Sequence, residues 1–306
     1  MKRRDFLKTS VVGLTSVSLG LCERAPGPEP TPVMPASAQG SIKKAVKFGM
    51  IEEDLSILEK FKLLQTLGFD GVEMDSPSDL DRDEVIAARD ETGLPIHGVV
   101  DSVHWRKTLS DPDPAVRAEG LDGLKTALDD AHAYGASTVL LVPAVVNKDV
   151  SYADAYQRSQ EEIRKVLPMA QEHGVKIAIE NVWNMFLLSP LEAARYIDEF
   201  ESEWIGWYFD VGNVVNYGWP EHWIHTLGSR ILKLDIKEYS REKRDNEGPY
   251  AGFRVFLGEG DCDWPTVTQA LADIGYEGWA TAEVAGGDTA RLRDIAERMD
   301  RILPTG

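Results

Sequence analysis

The chain has 306 residues, 43% of them hydrophobic and 27% charged, with a formal net charge of -18. That is enough apolar material for a sizeable core, and a body this acidic repels phosphate backbones, which argues against nucleic acid as a partner. Two cysteines, Cys22 and Cys262, give no disulfide framework and no thiolate metal cluster.

The N-terminus reads as an address. Arg3-Arg4-Asp5-Phe6-Leu7-Lys8 is followed by a weakly apolar run, Val11 to Leu21, diluted with Gly, Ser and Thr. Paired arginines before such a run predict a twin-arginine export signal, with the export machinery as partner and the periplasm as destination. The run is about half the ~20 residues that span a bilayer, so no integral membrane helix is expected. Ala36-Ser37-Ala38 offers a small-residue cleavage site. Leu19-Gly20-Leu21-Cys22 is a near miss for lipid anchoring, because a large residue precedes the cysteine. Residues 1–38 are therefore assigned to signal peptide and Pro/Ala linker, and 39–306 to the folded domain.

Beyond Val46, short β-branched runs alternate with helical patterns. The strands are expected at Lys47–Ile51, Gly71–Asp75, Pro95–Val100, Thr138–Pro143, Lys176–Asn181, Gly206–Asp210, Ile231–Lys237 and Trp279–Val284. Between them, apolar residues recur at helical spacing, as in Leu55, Leu58, Phe61, Leu63, Leu64 and Leu67, or Leu121, Leu124, Leu128 and Ala131. Gly68, Gly93, Gly135, Gly174 and Gly275 each close a helix just before a strand. Eight βα units in this length predict an α/β fold, a parallel eight-stranded (β/α)8 TIM barrel. A doubly wound sheet is disfavoured because no Gly-x-Gly-x-x-Gly turn follows the first strand.

Barrel enzymes work at the C-terminal ends of their strands, and here those ends are acidic. Strand two ends with Glu73 and Asp75, strand five with Glu180-Asn181, strand six with Asp210, strand seven with Asp235 and strand eight with Glu283. A single acid there reads as a solvated rim residue. Four apolar strands in succession ending in acids, ~4.8 Å apart, converge on one point and repel unless a divalent cation joins them.

These segments resemble the xylose isomerase-like barrels, a family of sugar phosphate isomerases and epimerases. The resemblance spans about Val46 to Leu303. It is carried by Ile179-Glu180-Asn181, Phe209-Asp210-Val211-Gly212-Asn213, Asp235-Ile236-Lys237-Glu238, Leu257-Gly258-Glu259-Gly260 and Ala282-Glu283. It implies one divalent metal held by Glu180, Asp210, Asp235 and Glu283. The third position departs from the family's His-x-Lys-Asp pattern. Four carboxylates favour Mn²⁺ or Mg²⁺, with Ca²⁺, Co²⁺ or Zn²⁺ as alternatives. The resemblance further implies proton transfer next to a carbonyl, with Glu180 and Glu283 trading the proton and the metal stabilising the enediolate oxygen.

Six further residues are candidate substrate contacts. His104 and Trp105 follow strand three on the catalytic face, where one could bond a hydroxyl and the other stack on a sugar. Lys237 shares the strand face of Asp235 and could neutralise the cluster or polarise a carbonyl. Arg241 matches an arginine that contacts substrate in relatives, although its basic run also reads as a solvated loop. Asn213 belongs to the strand-six motif, and Glu73 suits either a hydroxyl contact or a partner of another site residue. Among the other histidines, His97 is expected inside the barrel, His132 and His173 on the surface, and His222-Trp223 packed. Glu259, between two glycines, is expected to organise its loop.

The leading expectation is therefore an exported isomerase or epimerase of an unphosphorylated sugar or keto-sugar. The alternatives are a 3-keto-glycoside lyase or hydrolase on the same scaffold, and a non-catalytic metal-containing sugar-binding protein. An endonuclease is disfavoured by the acidic surface and the scarcity of histidine. Oligomeric state is left open.

Overall fold

A computed structural model describes residues 42–304; the expected export signal, both candidate processing sites and Cys22 lie outside the described residues. Eight parallel strands pair in sequence order, and the eighth returns to the first to close a barrel. They are β1 (Ile42–Lys47), β2 (Gly71–Ser76), β3 (Ile96–Asp101), β4 (Thr138–Leu141), β5 (Lys176–Glu180), β6 (Ile205–Asp210), β7 (Ile231–Ile236) and β8 (Gly278–Ala282). The large helices between them are α1 (Ile57–Thr66), α2 (Arg82–Thr92), α3 (Pro114–Tyr134), α4 (Tyr152–His173) and α5 (Pro190–Asp198). The second half adds α6 (Val211–Val215), α7 (Pro220–Leu227), α8 (Arg241–Glu247), α9 (Trp264–Asp273) and α10 (Thr289–Ile302). No helix among the described residues is long and apolar enough to cross a membrane.

Local chemistry sets the helix ends. Ser56 and Glu59 close a capping box at the start of α1, and Asp113 caps α3 immediately ahead of Pro114. Gly135 ends α3 at φ 73° and Gly174 ends α4 at φ 67°, a left-handed turn that glycine adopts without strain.

Side-chain alternation along each strand then decides what faces the helices and what faces the barrel axis. Ile177 and Ile179, Trp207 and Phe209, Leu234 and Ile236, and Ala280 and Ala282 belong to the main core under the helices. The intervening residues point inward: Ala178 and Glu180, Tyr208 and Asp210, Lys233 and Asp235, Thr281 and Glu283. Below the acids the interior is partly polar. His97 Nε2 lies 3.1 Å from Thr281 Oγ1, and its Nδ1 lies 3.0 Å from Lys233 Nζ. His97 is thus the interior histidine expected; burial first, then the Lys233 charge, pushes it well below its ordinary pKa.

The first strand lies earlier than its expected position. Residues Ile42–Lys47 form it, and Phe48–Met50 is a single 3-10 turn. Consecutive lysines hid it: Lys44 is buried on the helix side, where its ammonium meets Asp300 at 2.6 Å. Strand four stops at Leu141, short of Pro143, which has no N–H for a ladder. The basic run at 241–244 opens α8 instead of forming a loop. Trp223 packs as expected, but His222 points to solvent.

Candidate active site

Glu180 and Asp210 are the last residues of β5 and β6, Asp235 lies one residue from the end of β7, and Glu283 follows β8 directly. Each offers a carboxylate oxygen, and these four oxygens lie within 4.8 Å of one another. The convergence expected from the strand ends is therefore present. Asp210 and Asp235 are 0% exposed and Glu180 is 6% exposed.

A lacing of amides fixes one of the acids, Asp210. Asn181 Oδ1 accepts the Asp210 N–H at 3.0 Å, Asn181 Nδ2 donates to the Asp210 carbonyl at 2.8 Å, and Asn213 Nδ2 donates to the Asn181 carbonyl at 3.0 Å. Asp210 Oδ1 in turn caps α6 by accepting the Asn213 N–H at 2.7 Å. Gly212 between them is required because a Cβ there would fall 2.8–2.9 Å from Lys237. The Asp-Val-Gly-Asn stretch is thus a device for holding one carboxylate still.

Two ammonium groups flank the cluster. Lys237 Nζ lies 2.9 Å from Asp210 Oδ2 and 2.7 Å from Glu283 Oε2. Lys47 Nζ, at the end of β1, lies 3.1 Å from Asp235 Oδ2, 3.4 Å from Glu283 Oε1 and 3.5 Å from Glu73 Oε2. Glu180 alone of the four has no ion pair among the described residues. Burial, then the Glu283 charge, pushes its carboxyl well above the usual range. Asp235 is also raised by burial, against the pull of Lys47, and Asp210 is pushed up to about 6 by burial against Lys237. Burial acts on Glu283 in the same direction, but Lys237 and Lys47 override it and hold the carboxyl at about 2.

The arrangement fits a hard cation. Asp235 Oδ1 is buried with neither a hydrogen bond nor an ion pair among the described residues, while the buried Asp210 Oδ2 and Glu283 Oε2 meet the Lys237 ammonium. A buried acceptor left unsatisfied is costly, and four convergent carboxylates, all oxygen, are the donor set of Mn²⁺, Mg²⁺ or Ca²⁺.

A cavity of about 810 Å³ opens above the cluster, with Lys47, Glu180, Lys237 and Glu283 on its inner wall. Aromatic side chains, Trp105, Trp183, Tyr250 and Phe253, line it together with Asp75, His104 and Asn213. His104 Nδ1 accepts the Val142 N–H at 3.2 Å, and burial holds the ring neutral with a pKa of about 3. Trp105 is 50% exposed and stands edge-on to His104. Lys237 projects into the cluster although β7 ends one residue before it.

Two expected substrate contacts lie elsewhere. Glu73 is buried in the barrel interior, where its Oε1 accepts the Tyr208 hydroxyl at 3.0 Å and its Oε2 faces Lys47; it is a partner of Lys47 and does not line the cavity. Arg241 donates to the carbonyls of Val215 and Gly218 and stacks over Trp219, so its guanidinium ties α8 to the loop before α7. Asn213 reaches the cavity wall with its amide nitrogen already bound to Asn181. Lys47, Trp183, Tyr250 and Phe253 were not foreseen. Nor was Glu238, whose carboxylate accepts N–H bonds from Tyr239, Gly258, Cys262 and Trp264 and so holds the 258–264 loop. Glu259, expected to organise that loop, pairs with Arg298 at 2.8 Å.

A closed parallel barrel with four convergent acids at its C-terminal mouth defines a TIM-barrel protein built around an acidic cluster that could hold a cation. The chain belongs to the xylose isomerase-like TIM barrel family, whose model matches residues 61–303. It is 27% identical over 282 residues to L-ribulose-5-phosphate 3-epimerase of Escherichia coli O1:K1 / APEC, covering 84% of this chain and 96% of that enzyme. Among solved structures it is similar to D-allulose 3-epimerase from Methylomonas sp., with TM-score 0.71 and 18% identity, covering 86% of this chain and 99% of the other. It is likewise similar to 3-keto-D-glucoside 4-epimerase from E. coli, with TM-score 0.70 and 18% identity, again over 86% and 99%. At such identities the structures establish a shared fold. The relatives are sugar epimerases, which is the isomerase class the sequence implies.

Proposed function

We propose that this chain is a divalent-metal-dependent epimerase or isomerase of an unphosphorylated sugar or keto-sugar, exported by the twin-arginine route to the periplasm. The carrying observation is the pair Glu180 and Glu283, both on the cavity wall and held in opposite electrostatic environments. Two carboxylates whose proton affinities are pushed apart are the usual mark of an acid/base pair. Glu180, with no ammonium partner, is the carboxyl of the pair that holds a proton more tightly. Glu283, between Lys47 and Lys237, stays ionised until the proton reaches it. Glu180, Asp210, Asp235 and Glu283 would hold the divalent metal, which would supply Lewis-acid polarisation of the carbonyl. His104, neutral and with Nδ1 occupied, presents Nε2 as a hydroxyl partner, and Trp105 and Trp183 offer faces to the sugar's C–H side.

The lining supports the absence of a phosphate. It contains no arginine, and its two lysines are each held by carboxylates. A phosphate entering there would meet Asp75, Glu180 and Glu283 with no free cation to compensate. The test is to measure kcat/KM with Mn²⁺ for matched ketoses with and without a terminal phosphate. The unphosphorylated sugar is expected to be preferred by about a hundredfold or more; a preference for the phosphorylated sugar overturns this reading.

A further inference from the structure

The strand-seven ligand position carries an aspartate, and β1 places a lysine against it. Asp235 divides its two oxygens: Oδ2 accepts Lys47 Nζ at 3.1 Å, while Oδ1 is buried with no hydrogen-bond partner. Asp210 is divided differently, with Oδ1 taken by the Asn213 N–H and Oδ2 lying 2.9 Å from Lys237 Nζ. Asp235 therefore presents a single free oxygen to the centre. Lys47 cannot easily leave, because Glu283 Oε1 and Glu73 Oε2 hold the same ammonium from two other sides. The four ligand carboxylates and Glu73, set against the ammoniums of Lys47 and Lys237, leave the centre net negative, which a dication offsets.

We propose that Lys47 is a specificity-determining residue for the metal: by occupying Asp235 Oδ2 it cancels that charge and holds Asp235 as a one-oxygen ligand, so that the site prefers a small octahedral dication to Ca²⁺. The inference rests on the metal-dependent reading above. Ca²⁺ takes six to eight oxygens and gains from bidentate carboxylates and added negative charge, whereas Mg²⁺-sized ions require a compact octahedron and gain little from a second oxygen of one carboxylate. Removing the ammonium frees Oδ2 and adds one negative charge at the centre, and both changes favour Ca²⁺.

The experiment is calorimetric titration of Mn²⁺, Mg²⁺ and Ca²⁺ into the metal-free full-length chain, for the wild type, Lys47→Met and Lys47→Met/Asp235→Asn. Cooperative thermal melting serves as the check on folding, and Lys47→Gln, which keeps a polar head in the same space, is the second uncharged variant. Ca²⁺ affinity relative to Mn²⁺ is expected to rise roughly tenfold or more in Lys47→Met and Lys47→Gln. The double variant, with one carbonyl oxygen at position 235, is expected to return to the wild-type order. Dication binding with an unchanged Mn²⁺/Ca²⁺ ratio in the folded variants overturns this inference alone. A wild type that binds none of the three cations overturns the metal-dependent reading, and this inference with it.

Discussion

Glu180→Gln is expected to stabilise the protein while it is free of metal. The Glu180 carboxyl is 6% exposed, has no ion pair among the described residues, and offers an oxygen within 4.8 Å of those of three other acids. At an effective dielectric constant of about 20, one like charge at that range costs about 3 kcal/mol. Lys47 and Lys237 offset much of this from the far side of Glu283, leaving a net penalty of about 1–3 kcal/mol that the neutral amide removes. For a domain of this size that is a rise in Tm of roughly 2–12 °C. The pH dependence has a definite sign. The folded-state pKa of Glu180 is raised above its unfolded value. The stability tied to its protonation is fully present below the unfolded pKa and is lost as pH rises through the folded one. The variant's advantage should therefore be largest at pH 8–9 and shrink as the solution is acidified. Differential scanning calorimetry in a chelator, across that range, measures it. Saturating Mn²⁺ should reverse the order, because the wild type then gains a ligand that the variant lacks. A chelated wild type at least as stable as Glu180→Gln at pH 8 would refute the reasoning.

Two further substitutions test the scaffold and the ligand set. Glu238→Ala leaves four N–H donors, three of them buried, without their acceptor and should cost about 3–5 kcal/mol, a fall in Tm on the order of 10 °C; a fall of only a degree or two would show that the 258–264 loop is held by other means. Asp235→His exchanges a hard oxygen for a borderline nitrogen and removes one negative charge, so competition titrations should move the metal preference from Mn²⁺ or Mg²⁺ towards Co²⁺ or Zn²⁺. An unchanged order there would mean that Asp235 is not a ligand.

The barrel was legible because its strands alternate so regularly. Ile177 and Ile179 outward, Ala178 and Glu180 inward is a two-residue period readable without coordinates, and it recurs at 207–210, 233–236 and 280–283. The four acids followed from that period and from the rule that barrel chemistry sits at strand C-termini. Lys47 escaped because the first strand was placed five residues late. The same period applied to Lys44-Ala45-Val46-Lys47 puts Ala45 and Lys47 inward, but Lys43 and Lys44 break the apolar pattern that marks a strand. Glu73 obeyed the period, and of the two roles its position left open it takes that of a partner, lying one layer below the mouth where it meets Tyr208 and Lys47. Arg241 was carried over by position, and its guanidinium is spent on carbonyls of the preceding loop. Trp183, Tyr250 and Phe253 come from two loops distant in sequence, and their convergence is a tertiary fact that no local spacing encodes.

The central claim is that Glu180 and Glu283 move a proton at a carbon next to a carbonyl of an unphosphorylated sugar. Its most direct test is proton NMR of the Mn²⁺-loaded protein, passed into a diamagnetic Mg²⁺ buffer for detection, with candidate ketoses in D2O. The account predicts deuterium at one carbon beside the carbonyl with the wild type, and a loss of about 10²–10⁴-fold in Glu283→Gln with the melting curve intact. Full exchange in Glu283→Gln, or none with any ketose in the wild type, would contradict it.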